Sequence, residues 1–166
     1  MKIYLIGMPG SGKSTLGREL AKAFSSKFID LDQEIEEGAG KSIKKIFKEE
    51  GEDFFRKTES DLLKNYSKSK DDFVMSTGGG APCYHHGINI MNETGFSIYL
   101  KISKQELFQR LSGEKESRPL LAKSESLEST IQNLLSERGA IYDQAKVILE
   151  SDDISLQDLE DAISRI

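Results

Sequence analysis

Eight consecutive residues near the start of the chain, Gly7-Met8-Pro9-Gly10-Ser11-Gly12-Lys13-Ser14, fit the pattern G-x-x-x-x-G-K-[ST] without a gap. The apolar run Lys2–Ile6 leads into it, and Leu16, Leu20, Ala23 and Phe24 follow at the spacing of one helix face. Strand, glycine-rich turn and helix in that order commit the chain to an α/β fold with a ligand at the carboxyl end of the strand. The residue types suit phosphate. Glycines let the backbone curl so that its N–H groups point inward at anionic oxygens. The helix opening at Lys13 adds its positive end to the same spot. Lys13 is expected to reach the β- and γ-phosphates of a nucleotide, and the Ser14 hydroxyl to serve as a ligand of Mg²⁺. Gly10, Ser11, Gly12 and Thr15 complete the expected cradle.

Beyond the loop, short apolar runs alternate with longer amphipathic stretches. Phe28–Asp30, Phe73–Ser76, Ile98–Leu100 and Val147–Leu149 are predicted strands, several too uniformly apolar to carry a wet face. Helices are predicted around Phe54–Tyr66, over Leu127–Tyr142, and after Ser103 and Ser155. The last two carry an acid three residues on, Glu106 and Asp158, in a capping-box-like pattern. The alternation predicts a three-layer fold, with a central five-stranded parallel sheet and helices on both faces. With 166 residues and no linker-like tract or internal repeat, one domain over 1–166 is expected. The stretch from Glu114 to Ser126 breaks the rhythm. It is polar, holds Pro119, and has the length expected of a mobile lid.

The composition narrows the function. A net charge of −5 argues against broad nucleic-acid binding, while a few clustered basic residues still suffice for a small anion. No apolar run reaches membrane-spanning length, and the single cysteine, Cys83, has no internal partner. A cytoplasmic protein that binds neither nucleic acid nor membrane is the expectation.

Two rivals from other classes are a GTPase switch and a non-catalytic nucleotide-binding module. The first would carry the guanine-reading motif N-K-x-D, which does not occur. Against the second stands Phe28-Ile29-Asp30-Leu31-Asp32, which sets two carboxylates two residues apart at the end of the second predicted strand. In an extended chain Asp30 and Asp32 project from the same side while Leu31 turns away. One would assist Mg²⁺ through its water shell; the other would accept the proton of an attacking hydroxyl. The same acids would also serve as helix caps in a solvated turn. His85 and His86, adjacent in sequence, read as a polar loop tip.

The segments GMPGSGKST, FIDLD, FFRKTES, STGGG, SRPLL and RGAIYDQA occur in the order and approximate spacing of shikimate kinases, and the resemblance spans essentially the whole chain. It implies an ATP-dependent enzyme that phosphorylates the 3-hydroxyl of shikimate with Mg²⁺, a monomer, serving aromatic amino-acid precursor synthesis. By that resemblance Asp30 assists the metal, and Asp32 binds the substrate and acts as the base. Arg56 and Arg138 hold the substrate carboxylate, and Glu59 orients Arg56. A planar guanidinium suits that task because it donates two parallel hydrogen bonds. Gly78, Gly79 and Gly80 would let the substrate ring approach the backbone; Phe47, Phe54 and Phe55 are candidates to pack against it, though aromatic residues in such a pattern more often belong simply to the core. Arg118 in the lid would meet the ATP phosphates, and Arg110 would pack on the adenine. Ala140 departs from the family, where a proline is usual. No counterpart of the family's adenine-loop basic residue is found over Glu150–Ser155. A gluconate or other polyol-acid kinase is the alternative within the kinases.

Overall fold

The computed structural model describes residues 1–113 and 126–165. Five strands, β1 (Lys2–Ile6), β2 (Lys27–Asp30), β3 (Phe73–Ser76), β4 (Phe96–Lys101) and β5 (Val147–Glu150), form one sheet in the order β2-β3-β1-β4-β5. All four pairings are parallel. β1, the first strand in the chain, lies at the centre, and its side chains are divided between the two faces. Ile3 and Leu5 join a cluster with Leu20, Ala21, Val74, Leu100 and Ile163, under α1 (Lys13–Ala23) and α8 (Leu156–Ser164). Tyr4 and Ile6 face the larger cluster beneath α2 (Leu31–Ala39), α3 (Ile43–Glu50), α4 (Glu52–Lys68), α5 (Gly87–Thr94), α6 (Lys104–Leu111) and α7 (Leu127–Tyr142). Period-two alternation in a strand buried on both faces therefore builds the three predicted layers.

Local chemistry explains most of the boundaries. Ser103 accepts from Glu106 N, and Ser155 and Asp158 close a reciprocal capping box. Each such cap is worth about 1 kcal/mol. The predicted strands are present, three of them longer by one to three residues than expected from sequence. The face predicted for α1 is only half right. Leu20 is buried, but the helix ends at Ala23 and Phe24 is 46% exposed. Beyond Lys13, the buried positions are instead Gly17, Leu20 and Ala21, and a Cβ on Gly17 would lie 2.7 Å from Phe28 Cε2.

The second strand also departs from expectation, and this matters for the site. It ends at Asp30, which has φ −102° and ψ 110° and accepts a hydrogen bond from Gln33 N at 3.3 Å. Asp30 is thus the N-cap of α2, and Asp32 sits in that helix's first turn. Strand alternation does not align the two acids, because burial of Leu31 and Ile35 on one helix face starts α2 immediately. The cap reading of Asp30 is correct without removing it from the cleft.

Candidate active site

Every loop that leaves a carboxyl end of β1, β2 or β3 opens onto a cleft of about 1040 Å³, as expected where the strand order reverses about the first strand. The phosphate loop forms its floor. Gly10 and Gly12 have φ of 82° and 90°, left-handed values that a Cβ would disfavour, and Gly12 begins α1 without any side-chain cap. The helix's first N–H groups are left to whatever anion the loop receives. Lys13 is buried and arches back over the turn, its Nζ donating to Gly7 O at 3.0 Å and Met8 O at 2.8 Å. Ser11 is buried against it, while Thr15 is exposed at the cleft wall.

Beside the loop, Ser14 Oγ donates to Asp30 Oδ2 at 2.7 Å and lies 3.0 Å from Ser76 Oγ. This all-oxygen cluster fits a hard cation such as Mg²⁺, which prefers oxygen ligands. No group of three or more His, Cys, Asp or Glu side chains with metal-ligand geometry exists among the described residues. Ser14, Asp30 and Ser76 would supply the protein's share of such a cation's ligands.

The three glycines after β3 are packed against charged side chains, one by one. A Cβ on Gly78 would lie 2.6 Å from Glu59 Oε1 and 2.7 Å from Asp32 Oδ1. One on Gly79 would lie 2.9 Å from Arg138 Nη1 and 3.3 Å from Pro9 of the phosphate loop. One on Gly80 would overlap the Arg56 guanidinium. Their smallness thus gathers Asp32, Glu59, Arg138 and Arg56, drawn from α2, α4 and α7, around one short stretch of backbone. Tyr142 OH donates to Gly79 O and pins that stretch from the far side.

Both arginines are nearly inaccessible, 4% exposed each. Arg56 Nη1 donates to Glu59 Oε2 at 2.9 Å, and Nη2 reaches Glu52 Oε1 at 3.4 Å. Burial, the largest single influence, lowers the Arg56 pKa, but Glu59 together with Tyr84 and Glu52 outweighs it and the net direction is up. Glu59 itself is 1% exposed, and its Oε1 has no hydrogen-bond partner among the described residues. Burial drives its pKa from 4.5 to about 7 despite Arg56, and the Asp32 charge adds to the rise.

Arg110 stands at the other wall. Its Nε donates to Glu106 at 2.7 Å, Nη1 to Gly10 O at 3.3 Å and Nη2 to Asp152 O at 2.6 Å. Asp152 in turn accepts from Ser103 N at 2.7 Å and Ser103 Oγ at 2.9 Å. The loop after β5 is thereby tied to the phosphate loop, although its sequence offered no basic residue to find it by. Ile154 from this loop lines the cleft with Arg110. Phe47 and Phe55 also line it, whereas Phe54 turns outward and is 47% exposed. The lid over 114–126, except Ser126, and its Arg118 lie outside the described residues. His85 and His86 are exposed, with left-handed φ of 49° and 61°. Ser76, Asp152 and Tyr84 went unnoticed in the sequence; Ser76 stood inside the quoted STGGG, and the other two carry no local signal.

A parallel α/β sheet whose glycine-rich cradle meets a walled acceptor pocket defines an ATP-dependent kinase of small molecules. Comparison with known proteins narrows the class. A family model for shikimate kinase matches residues 9–166. A shikimate kinase of Parabacteroides distasonis is 36% identical over 171 residues, covering 99% of this chain and 98% of that protein. One from Clostridium botulinum strain Langeland is 43% identical over 148 residues, 89% of this chain and 85% of its own. The solved shikimate kinase from Acinetobacter baumannii in complex with shikimate superposes with a TM-score of 0.89 at 34% identity, covering 99% of this chain and 90% of that one. The chain belongs to the shikimate kinase family.

Proposed function

We propose that this enzyme transfers the γ-phosphoryl group of ATP to the 3-hydroxyl of shikimate, giving shikimate 3-phosphate and ADP, as a cytoplasmic, monomeric, Mg²⁺-dependent step toward chorismate and the aromatic amino acids. The observation that carries this reading is the convergence of buried Arg56 and Arg138 on the Gly79–Gly80 backbone, with Gly79 also against Pro9 of the phosphate loop. An anionic acceptor bound by those arginines lies next to the phosphates.

In this reading the phosphate-loop amides, Lys13, Ser11 and Thr15 hold the nucleotide, and Arg110 with Ile154 flanks its base. Lys13, now paired with its own loop's carbonyls, is positioned to exchange them for phosphate oxygens. Ser14 and Asp30 would hold Mg²⁺, which would offset the charge of the transferring phosphoryl group. Arg56 and Arg138 fix the acceptor's carboxylate, so its hydroxyl is presented in one orientation. The expected approach of the ring to the glycine backbone gives way to a different use: the absence of a Cβ at 78, 79 and 80 lets Asp32, Glu59, Arg138 and Arg56 close on that backbone and wall the acceptor pocket. Asp32 orients the hydroxyl and takes its proton late, a task within reach of an ordinary carboxylate because the transition state is loose. Arg118 belongs to this proposal as a contact to the travelling phosphoryl from the lid.

The test is ADP release with and without shikimate, repeated with shikimate methyl ester. ADP release is expected to require the acid, and kcat/KM for the ester is expected to fall by roughly 2–5 kcal/mol in transition-state binding. Equal rates with acid and ester would overturn the arginine clamp. Turnover that ignores shikimate altogether would overturn the substrate.

A further inference from the structure

Three of the groups that hold Arg56 come from its own helix, and the fourth does not. Glu52, Phe55 and Glu59 share α4 with it, and the Phe55 ring lies 5.0 Å from the guanidinium carbon. The Tyr84 ring, from the loop between Gly80 and α5, lies closer, at 4.4 Å. This loop is a series of tight turns. Ala81 N donates to Gly78 O at 3.0 Å, Cys83 N to Gly80 O at 2.8 Å, Gly87 N to Tyr84 O at 3.0 Å and Ile88 N to Pro82 O at 2.9 Å. His85 and His86 both adopt left-handed φ, which a non-glycine residue holds only where the surroundings over-determine it. Gly87 closes the loop where any Cβ would overlap Ala81 O. The result is a Tyr84 that is still 38% exposed yet fixed in place over a guanidinium that is 4% exposed.

We propose that Tyr84 is a positioning residue for the acceptor's carboxylate: stacked on Arg56, it holds the guanidinium plane against Gly80 with its fork directed into the cleft. The physical reason is geometric. Groups on α4 restrain Arg56 relative to its own helix, whereas the carboxylate must be met relative to the glycine backbone. Tyr84 is anchored to that backbone through the turns just described. An aromatic face over a cation supplies attraction without occupying any N–H, so the donors stay available to the ligand. Arg56 Nε, buried and without a hydrogen-bond partner among the described residues, is one such donor. The inference rests on the reading of Arg56 as a carboxylate clamp.

The experiment is calorimetric titration of shikimate into the wild type, Tyr84→Ala, Tyr84→Phe and Arg56→Lys, with KM and kcat for shikimate, its methyl ester and ATP measured alongside. Tyr84→Ala is expected to weaken shikimate binding about 5- to 30-fold, the span of a partly desolvated cation–π contact. Tyr84→Phe, which keeps the ring, is expected to stay within about twofold, as is the KM for ATP in all Tyr84 variants. The loss is expected to vanish for the ester, which offers Arg56 no anion. A loss of equal size for acid and ester, or equal losses in Tyr84→Ala and Tyr84→Phe, would overturn the proposal. If Arg56→Lys weakens binding and Tyr84→Ala does not, this inference alone fails. If neither does, the clamp itself fails. Should Tyr84→Ala not fold, Tyr84→Leu, similar in bulk and without a π face, takes its place under the same outcomes.

Discussion

Asp32 and Glu59, from different helices, crowd the one point that Gly78 leaves empty: the missing Cβ would lie 2.7 Å from Asp32 Oδ1 and 2.6 Å from Glu59 Oε1. Gly78 has no unusual φ, so the requirement for glycine here is steric and chemical rather than conformational. Gly78→Ala is expected to push both carboxylates aside. The cost in stability should stay within the 1–3 kcal/mol typical of overpacking, while kcat/KM for shikimate falls at least about 100-fold. Thermal melting and steady-state kinetics on one preparation check this. A well-folded alanine variant with native activity would show that the carboxylates need not sit where they do.

The pH dependence of stability should carry the signature of Glu59. Its folded pKa of about 7 exceeds the ordinary 4.5, so between these values the folded state holds a proton that the unfolded state has released. Stability is then lost as pH rises through that window and levels off above it. At about 1.4 kcal/mol per unit, the loss is roughly 3 kcal/mol. Glu59→Gln, which cannot ionise, should lack this slope. Urea midpoints of both proteins from pH 5 to 8 decide the matter, and parallel curves would place the titration elsewhere.

Asp32→Asn preserves shape and removes the proton acceptor. We expect kcat to collapse by at least about 100-fold with binding of a non-hydrolysable ATP analogue intact. An asparagine variant that keeps most of its turnover would reduce Asp32 to a binding residue.

The contact between Asp152 and Ser103 should influence the nucleotide alone. Asp152 presents its carbonyl to Arg110 because its carboxylate is held by Ser103 N and Oγ. Removing that carboxylate with Asp152→Ala is expected to raise KM for ATP about 3- to 10-fold, the worth of one or two net hydrogen bonds, and to leave KM for shikimate unchanged. Ser103→Ala should act in the same direction. Equal changes in both KM values would point to a general loosening of the fold.

Much of this could be read from the chain without coordinates. The cradle from Gly7 to Ser14 is a local structure, encoded by glycines at fixed offsets and by the strand and helix on either side. The central strands β1, β3 and β4 were legible because double burial makes them largely apolar, the edge strands β2 and β5 only by short apolar runs, and the starts of α6 and α8 because Ser103 and Ser155 carry their caps within three residues. The helices α2, α3 and α5 were not foreseen. Each is short, nine residues or fewer, and buries no more than two apolar side chains, so its periodicity is faint. The expected alignment of Asp30 with Asp32 failed for the same reason, since α2 begins one residue after the strand.

The sequence alone therefore determined that the chain folds as a parallel α/β sheet around a phosphate loop, because those signals act over a few residues and survive in any context. Which side chains surround Gly78, Gly79 and Gly80 was decided only by the tertiary structure. The bond from Arg110 to Gly10 O spans 100 residues and that from Tyr142 to Gly79 O spans 63. Contacts of that range follow from the strand order β2-β3-β1-β4-β5 and the packing of helices over it. No local pattern encodes them, and Tyr84 reaches Arg56 only because the strained loop after β3 and the first turns of the unrelated helix α4 meet at the carboxyl end of the sheet.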